Sequence, residues 1–304
     1  MNYGKKSVKQ KKKALQSTSS KLGRKCLLTF SKVLLLCVIA IGIIGICAGL
    51  GVFKGIIDSA PTITLEDATP TRYSSFIYDS KGNQMAKLIA EDSNRVPVTM
   101  DQIPTDLANA FVAIEDERFY QHNGIDIMGI LRAGVTAVKT GFKRQEGAST
   151  ITQQLARNFF LSPEKTLMRK IKEAFLAIRI EQLLNKDEIL ELYLNKIYLG
   201  YRAYGVGAAA QVYFGKPIDQ LTLSEMAVIA GLPKAPSTFN PLYSMDRATA
   251  RRNVVLSRML SEGYITQAQY DEARSEPIDA SYHAPKIAFS APYLSEMVDR
   301  KSVV

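Results

Sequence analysis

The residues best suited to acid–base chemistry lie in the run Glu115–Gly124, which reads EDERFYQHNG. Glu115 directly follows Ile114, at the boundary of an apolar stripe that repeats at helical spacing. Partial burial there would raise the pKa of the Glu115 carboxyl and suit it to act as a general base. A solvated last helical turn explains the same acids and, for this run alone, is the favoured interpretation. Acids at a helix C-terminus interact unfavourably with the helix dipole, which slightly favours a functional role for this run.

Uncharged polar residues dominate the segment Glu146–Asn158. Its Gly-Ala-Ser turn precedes a predicted helix over 150–158, with Ser149 as the N-terminal cap. Free backbone N–H groups at such a turn favour an anion, and the hydroxyl and amide side chains that follow are neutral donors suited to sugar or phosphate. An ordinary capped helix is the alternative. The density of uncharged polar side chains supports a ligand surface at least as well.

Four bases surround one acid in the segment Lys165–Glu173. Arg169, Lys170 and Glu173 share a helix face through i,i+4 and i,i+3 spacing. This face could form a cationic cradle for a pyrophosphate, with Glu173 holding a base or a divalent cation in place. A solvated charged face is the usual explanation of such a run.

The net charge of +10 belongs to one end of the chain. Residues 1–32 hold ten Lys and Arg and no acid, and the rest of the chain is neutral, which argues against a nucleic-acid-binding protein. Val33–Phe53 carries no charge and would span roughly 32 Å as a helix, enough to cross a bilayer. We interpret it as an uncleaved anchor rather than a signal peptide, with the basic N-terminus in the cytoplasm.

Cysteine and histidine usage excludes several kinds of site outside the anchor. Cys26, Cys37 and Cys47 all lie in or beside the apolar segment, so the outer domain has no internal disulfide and no thiol nucleophile. His122 and His283 are the two histidines of the chain, which excludes a His-rich zinc site.

Five segments together resemble, in order and spacing, the five motifs of the peptidoglycan glycosyltransferases, the family found in class A penicillin-binding proteins. They are Glu115–Gly124, Gly147–Gln154, Arg169–Glu173, Lys186–Asn195 and Arg251–Met259, and the resemblance covers residues 70–298. It implies a mainly α, lysozyme-like domain that polymerises lipid II into glycan strands. The implied reaction is an inverting single displacement with polyprenyl pyrophosphate as leaving group.

The resemblance also assigns site residues. It implies that Glu115 and Glu173 are the catalytic acids. The positions that match substrate contacts or other motif positions are Asp116, Phe119, His122, Arg132, Ser149, Thr150, Gln153, Gln154, Arg157, Lys165, Arg169, Lys170, Lys172, Glu191, Tyr193 and Asn195. Within the fourth motif, the i,i+4 spacing of Glu191 and Asn195 is more typical of supporting residues than of direct chemistry. Glu146 and Ala148 depart from the commoner opening of the second motif, and Arg157 stands where many members have Lys.

The predicted organisation has a disordered basic tail and one anchor before the folded part. The predicted segments are a tail over 1–32, a transmembrane anchor over 33–53, a linker with a small β-hairpin over 54–100, a helical glycosyltransferase domain over 101–275 and the start of a C-terminal linker region over 276–304. The hairpin joins strand-like runs at 73–78 and 84–90. Helices are predicted after Pro104, from Ile127, after Ser162-Pro163 and over 186–197, 205–213, 222–231, 246–262 and 266–274.

The expected partners are lipid II, glycan on polyprenyl pyrophosphate, the membrane and other cell-wall synthesis proteins. Mg²⁺ or Mn²⁺ near Glu173 is the cofactor prediction, with no organic cofactor and no nucleic acid. The expected location is the cytoplasmic membrane, with a single pass and the C-terminal domain outside. The chain ends soon after the transferase region, so transpeptidation is not expected. A glycan hydrolase on a similar scaffold and a non-enzymatic scaffold protein are the alternatives, against which the basic segment and the two glutamates argue.

Overall fold

The computed structural model describes residues 4–15, 18–59, 75–78, 80–82, 84–88, 95–141, 147–160 and 166–283. The chain divides into two compact units, Met1–Ser59 and Ala60–Val304. In the first unit, helix α1 spans Lys5–Leu15 and helix α2 spans Thr18–Asp58. Within α2, the segment Lys25–Ala48 is long and apolar enough, by length and composition, to cross a membrane.

The basic tail is helical in its described part, which corrects the prediction of disorder for residues 1–32. Lys, Gln, Ala and Leu make up most of α1, and all four are good helix formers. The high charge of the tail therefore does not prevent helix formation.

The second unit begins with the predicted hairpin. Strand β1 spans Ser75–Tyr78 and pairs antiparallel with β2, Gln84–Leu88. Gly82 in the connecting turn has a φ of +82°, a left-handed conformation that a glycine adopts without steric cost.

The other described residues of the unit are mainly helical, which confirms the predicted mainly α class. The helices are α3 Thr105–Glu115, α4 Ile127–Lys139, α5 Ile151–Phe160, α6 Leu167–Leu183, α7 Lys186–Lys196, α8 Val206–Phe214, α9 Leu223–Gly231, α10 Met245–Ser261 and α11 Gln267–Ser275. These bounds confirm most predicted helices to within two residues.

Two predicted helix starts are corrected. Helix α6 begins after Thr166, whose hydroxyl accepts the N–H of Arg169; Ser162-Pro163 lies outside the described residues. Helix α5 is capped by Thr150 rather than Ser149, because the Thr150 hydroxyl accepts the N–H of Gln153. The reciprocal bond runs from the Thr150 N–H to the Gln153 side chain, so both residues of the cap are satisfied.

Helix α3 lies at the centre of the core. It packs against α9 and α10, and α5 packs against α6 and α7. Leu107, Ala110 and Phe111 of α3 are wholly buried. The Phe111 ring meets the Tyr193 ring of α7 edge to face, with centroids 6.1 Å apart. Because α3 is buried for most of its length, Glu115 emerges from the core where the helix ends.

Helix α4 differs from most helices of the second unit because its apolar face is exposed. Ile127, Met128, Leu131, Val135 and Val138 are each more than half exposed. The periodicity of these residues correctly predicts the helix. It does not predict whether the apolar face packs on the rest of the chain, and among the described residues it stays largely uncovered.

Candidate active site

The end of α3 opens into a cleft of about 670 Å³. Its walls come from the loop after α3, from α4, from the turn before α5, from the turn Leu232–Lys234 and from α10. Both acidic and basic side chains line it. Glu115, Asp116 and Glu117 lie at the end of α3, with Arg251 and other cations around them. The cleft can therefore hold a polar ligand beside a carboxylate.

Glu115 is held between one hydrogen-bond donor and several cations. The side-chain amide of Gln154 donates to Glu115 Oε2 at 2.9 Å, and Arg251 Nη2 lies 4.0 Å from Oε1. Burial raises the pKa of the Glu115 carboxyl, and the Gln154 bond and the charges of Arg251, Arg157 and Lys234 oppose that rise without cancelling it. Such a carboxylate is more basic than an exposed one and can accept a proton inside the cleft.

Asp116 has a different role from its neighbour. Its oxygens lie 3.0 Å from His122 Nε2, and Oδ2 accepts the backbone N–H of Ile151 at 2.9 Å. The carboxylate thereby ties the loop after α3 to the first turn of α5. Its acceptor capacity is largely used within the protein, so Asp116 positions the site rather than serving as a second base.

The chain passes close to α6 at Gly124, where a side chain would not fit. A Cβ there would lie 2.7 Å from the carbonyl carbon of Ala177, and the φ of Gly124 is +87°. The Thr150 hydroxyl also donates to the Gly124 carbonyl at 2.6 Å. This contact fixes the distance between the Glu115–Gly124 segment and α5.

We expect Gly124→Ala to destabilise the fold by about 3 kcal/mol, because the new methyl group must displace the backbone of α6 and the residue keeps a left-handed φ. Urea denaturation of the purified protein measures the change. Gly134→Ala in α4 is the matched control. A Cβ at position 134 would meet nothing within 4 Å, so alanine there should leave stability unchanged or raise it by up to about 1 kcal/mol. Equal effects of the two substitutions would contradict the prediction.

The basic segment on α6 is organised by Glu173. Its carboxylate is buried and binds Arg169 Nη1 through one oxygen and Lys170 Nζ, at 2.8 Å, through the other. Lys170 Nζ also donates to Ser149 Oγ at 2.7 Å, and Ser149 lines the cleft. The basic segment thus reaches the edge of the cleft that contains Glu115. In the described part of the chain, the buried Nε of Arg169 has no hydrogen-bond partner.

The surroundings of Glu173 do not fit a divalent cation. Both of its oxygens bind cationic side chains. No group of three or more His, Cys, Asp or Glu side chains in the described residues could hold a metal ion. The predicted Mg²⁺ or Mn²⁺ therefore has no ligand set here, and no step of the proposed reaction is assigned to one.

The structure separates the predicted site residues into two sets. Those that line the cleft are Glu115, Asp116, Arg132, Ser149, Thr150, Gln154 and Arg157. Arg132 of α4 pairs with Glu117, which also lies 3.7 Å from Arg258. His122, Arg169, Lys170, Lys172 and Glu173 lie outside the lining, on the Asp116 side or on α6. Lys165 lies outside the described residues.

The remaining predicted residues are not part of the cleft lining, and their expected contacts with substrate stay a prediction. Phe119 and Tyr193 have no exposed surface, and Gln153 is used in the cap of α5. Asn195 bonds both backbone groups of Val98, and Glu191 accepts the N–H of Met100. The side chains of Gln153, Asn195 and Glu191 thus have hydrogen-bond partners within the protein, which is typical of supporting residues.

Five charged cleft residues received no role from the sequence: Glu117, Asp126, Lys234, Arg251 and Arg258. Arg251 and Arg258 lie in the fifth matching segment. The resemblance identified that segment by its order and spacing but assigned no role to either residue. Glu117 lies in the first one. Lys234 follows Pro233 in a short 3₁₀ turn, and no periodicity there indicated a functional side chain.

Comparison with known proteins identifies the family. The family model described as Transglycosylase matches residues 81–260, more than half of the chain. The chain belongs to the transglycosylase family. The resemblance seen in the five motifs is thus confirmed, and the matched range contains the cleft and the basic segment of α6.

Relatives of this transglycosylase are named penicillin-binding protein 1A. That of Escherichia coli (strain K12) is 65% identical over 270 residues, which are 88% of this chain and 31% of that protein. That of Vibrio cholerae is 61% identical over 217 residues, 71% of this chain and 26% of that protein. The crystal structure of penicillin-binding protein 1A from Haemophilus influenzae matches with a TM-score of 0.43 and 40% identity, over 77% of this chain and 25% of that one. The chain thus spans about a third or less of the length of these relatives.

Proposed function

We propose that this transglycosylase is a peptidoglycan glycosyltransferase that polymerises lipid II into glycan strands at the outer face of the cytoplasmic membrane. The observation that carries the proposal is the pairing of a buried glutamate, Glu115, with a basic segment that reaches the same cleft through Lys170 and Ser149. A sugar alcohol needs a base to become a nucleophile, and a pyrophosphate leaving group needs positive charge.

The acceptor is activated at Glu115. The 4-hydroxyl of lipid II attacks the anomeric carbon of the growing glycan, and its proton passes to the Glu115 carboxylate. Gln154 and Arg251 hold that carboxylate in place. A single displacement from the face opposite the leaving group inverts the anomeric carbon, and a base with room for an acceptor sugar suits that geometry.

The leaving group departs toward the basic segment. The bond from the anomeric carbon to the pyrophosphate oxygen breaks, and the oxygen keeps the electron pair. Arg169 and Lys170 stabilise the negative charge that develops, and Glu173 orients both cations from its buried position. Since pyrophosphate is a good leaving group, charge stabilisation replaces the proton that a glycan hydrolase must supply.

Membrane attachment suits substrates that carry polyprenyl tails. The N-terminal apolar helix would anchor the chain with its basic end in the cytoplasm. The exposed apolar face of α4, with Leu167 and Met168 at the start of α6, has the composition of a surface that contacts lipid. Confining enzyme and substrates to one surface raises their rate of encounter.

Extension of labelled lipid II by the purified protein tests the proposal. We expect long glycan strands in detergent or vesicles, measured by gel separation of the products. A second sample with a chelator tests the separate prediction of Mg²⁺ or Mn²⁺. Incubation with finished glycan should leave its length unchanged; shortening would instead favour a hydrolase, and no turnover by folded protein would favour a scaffold.

We expect the turnover number to rise with pH. The midpoint of this rise should lie above about 4.3, the pKa of an unperturbed glutamate. The sign follows from the role of Glu115. Only its ionised form accepts a proton, and burial raises its pKa, so activity is lost as pH falls through that raised value. Initial rates at saturating lipid II over pH 4–8 measure the midpoint. A midpoint at or below that of an exposed glutamate would contradict the assignment.

A further inference from the structure

Three helices are linked by a buried hydrogen-bond chain that ends on Glu115. The hydroxyl of Tyr193, on α7, donates to Gln154 Oε1 at 3.2 Å. The amide nitrogen of Gln154, on α5, donates to Glu115 Oε2 at 2.9 Å. Tyr193 has no exposed surface and Gln154 is 8% exposed, so water cannot easily replace either bond.

The two ends of the Gln154 side chain have opposite effects on a carboxylate. The amide N–H donates to an ionised carboxylate, whereas the amide oxygen would repel it and accept a bond only from the protonated acid. The two orientations differ by a half-turn about the last side-chain torsion and have nearly the same shape. Packing therefore does not select between them, and the hydrogen-bond partners at the two ends do. The ionised Glu115 carboxylate favours the N–H side. In the flipped orientation the buried Tyr193 O–H would lose Gln154 Oε1, its acceptor among the described residues.

We propose that Tyr193 is the positioning residue that selects the orientation of Gln154, so that the Gln154 amide N–H faces Glu115. A hydroxyl that donates to the Gln154 oxygen holds that oxygen on the α7 side and turns the N–H groups toward α3. The proposal rests on the function proposed above, because it concerns the residue that accepts the proton there.

The Tyr193 hydroxyl is itself fixed in place. Its ring packs edge to face on Phe111 of α3. On the same helix, Asn195 bonds both backbone groups of Val98, and Glu191 accepts the N–H of Met100. The helix that carries Tyr193 is therefore anchored on two sides, and the hydroxyl position does not depend on a bound substrate.

Other groups around Glu115 are charged and act differently. Arg251 comes from α10, Arg157 from α5 and Lys234 from the turn after α9, and each favours the ionised carboxylate by charge alone. None of them bonds the oxygen of Gln154 in the described residues. The Tyr193 hydroxyl is neutral, so its removal changes the orientation of Gln154 without changing the charge of the site.

The test is Tyr193→Phe in the full chain, assayed by lipid II polymerisation against pH. We expect the midpoint of the rising limb to move up by about half to one pH unit, because a freed amide no longer holds its N–H on the carboxylate. The turnover number should fall up to about tenfold below the midpoint and approach the unmodified value at high pH, with KM for lipid II within about twofold.

Tyr213→Phe is the matched control. Tyr213 is equally buried, and its hydroxyl bonds the carbonyl of Leu199 and the amide of Asn240, away from Glu115. Losing that hydroxyl should lower stability by a similar amount and leave the pH midpoint where it was. A shift of the same size in Tyr213→Phe, or none in Tyr193→Phe, overturns the proposal.

Two further measurements separate this proposal from the function on which it rests. The carboxyl ¹³C resonance of Glu115, assigned with Glu115→Gln, should titrate at higher pH in Tyr193→Phe whether or not the protein polymerises lipid II. In a Gln154→Met background, Tyr193→Phe should shift that resonance no further, because the tyrosine acts through the amide. An additional shift there would show that Tyr193 does not act through Gln154. If the protein does not polymerise lipid II but the Glu115 resonance titrates as expected in the variants, only the proposed enzyme function is rejected.

Discussion

Glu115→Gln should reduce lipid II polymerisation by at least about a thousandfold, because general-base assistance commonly contributes two to four orders of magnitude and no other described acid can replace this one. Asp116 is occupied by His122 and by the N–H of Ile151. Glu117 is occupied by Arg132 and lies near Arg258. Asp126, the other acid of the cleft lining, is bound to Arg118 and to the N–H of Gly129. A glutamine at position 115 keeps the shape of the side chain and still accepts the bond from Gln154, but it cannot take a proton from an alcohol.

The control for this substitution is Glu225→Gln, another buried glutamate. Glu225 pairs with Lys216 at 2.7 Å and caps α9 away from the cleft lining, so its loss should affect stability and not turnover. Thermal unfolding should place Glu115→Gln within about 4 °C of the unmodified protein, since the two side chains have the same volume. Glycan synthesis by Glu115→Gln at a rate near that of the control would refute the assignment of the base.

The sequence predicted the local features of the site well. The apolar stripe before Glu115 placed this residue at the boundary of the core, and burial indeed raises the pKa of its carboxyl. The i,i+4 and i,i+3 spacing of Arg169, Lys170 and Glu173 predicted the ion pairs that the structure contains. In both cases the information lies within one helix, where spacing along the chain determines which side chains meet.

Contacts between distant segments could not be predicted in this way. Tyr193 and Gln154 are separated by 39 positions, and only the packing of α7 on α5 brings the hydroxyl to the amide. The motif match placed Tyr193 among the substrate contacts, whereas the structure buries this side chain completely. Lys234 is a second example, because the turn that carries it lines the same cleft as residues of α3 and α10 that are distant in the sequence.

The apolar face of α4 shows a second limit of pattern analysis. A helical repeat of apolar residues indicates a face that avoids water, and in most soluble domains that face packs on the core. On α4 the face stays exposed in the described chain, and residues such as Leu131 and Val135 were therefore identified correctly as helical but not as outward-facing. Periodicity specifies the helix, whereas its surroundings depend on whether protein or lipid covers it.

Lys170→Ala should reduce the turnover number by about a hundredfold, because it removes one of the cations that would stabilise the departing pyrophosphate. Lys170 is the side chain that joins the two halves of the proposed mechanism: it bonds Glu173 on α6 and Ser149 at the cleft. Inorganic pyrophosphate should also inhibit the variant more weakly than the unmodified protein, which separates lost anion binding from a general loss of activity.

Arg179→Ala supplies the control for that loss of charge. Arg179 lies on the same helix, is exposed and bonds the neighbouring Gln182 at 3.0 Å, so its removal changes the net charge equally but leaves the cleft intact. Glu173→Gln should resemble Lys170→Ala, because both cations that the carboxylate orients would lose their partner. Unchanged turnover and unchanged pyrophosphate inhibition in Lys170→Ala and Glu173→Gln would mean that the leaving group departs elsewhere, and the ion pairs of the basic segment would then have a structural role only.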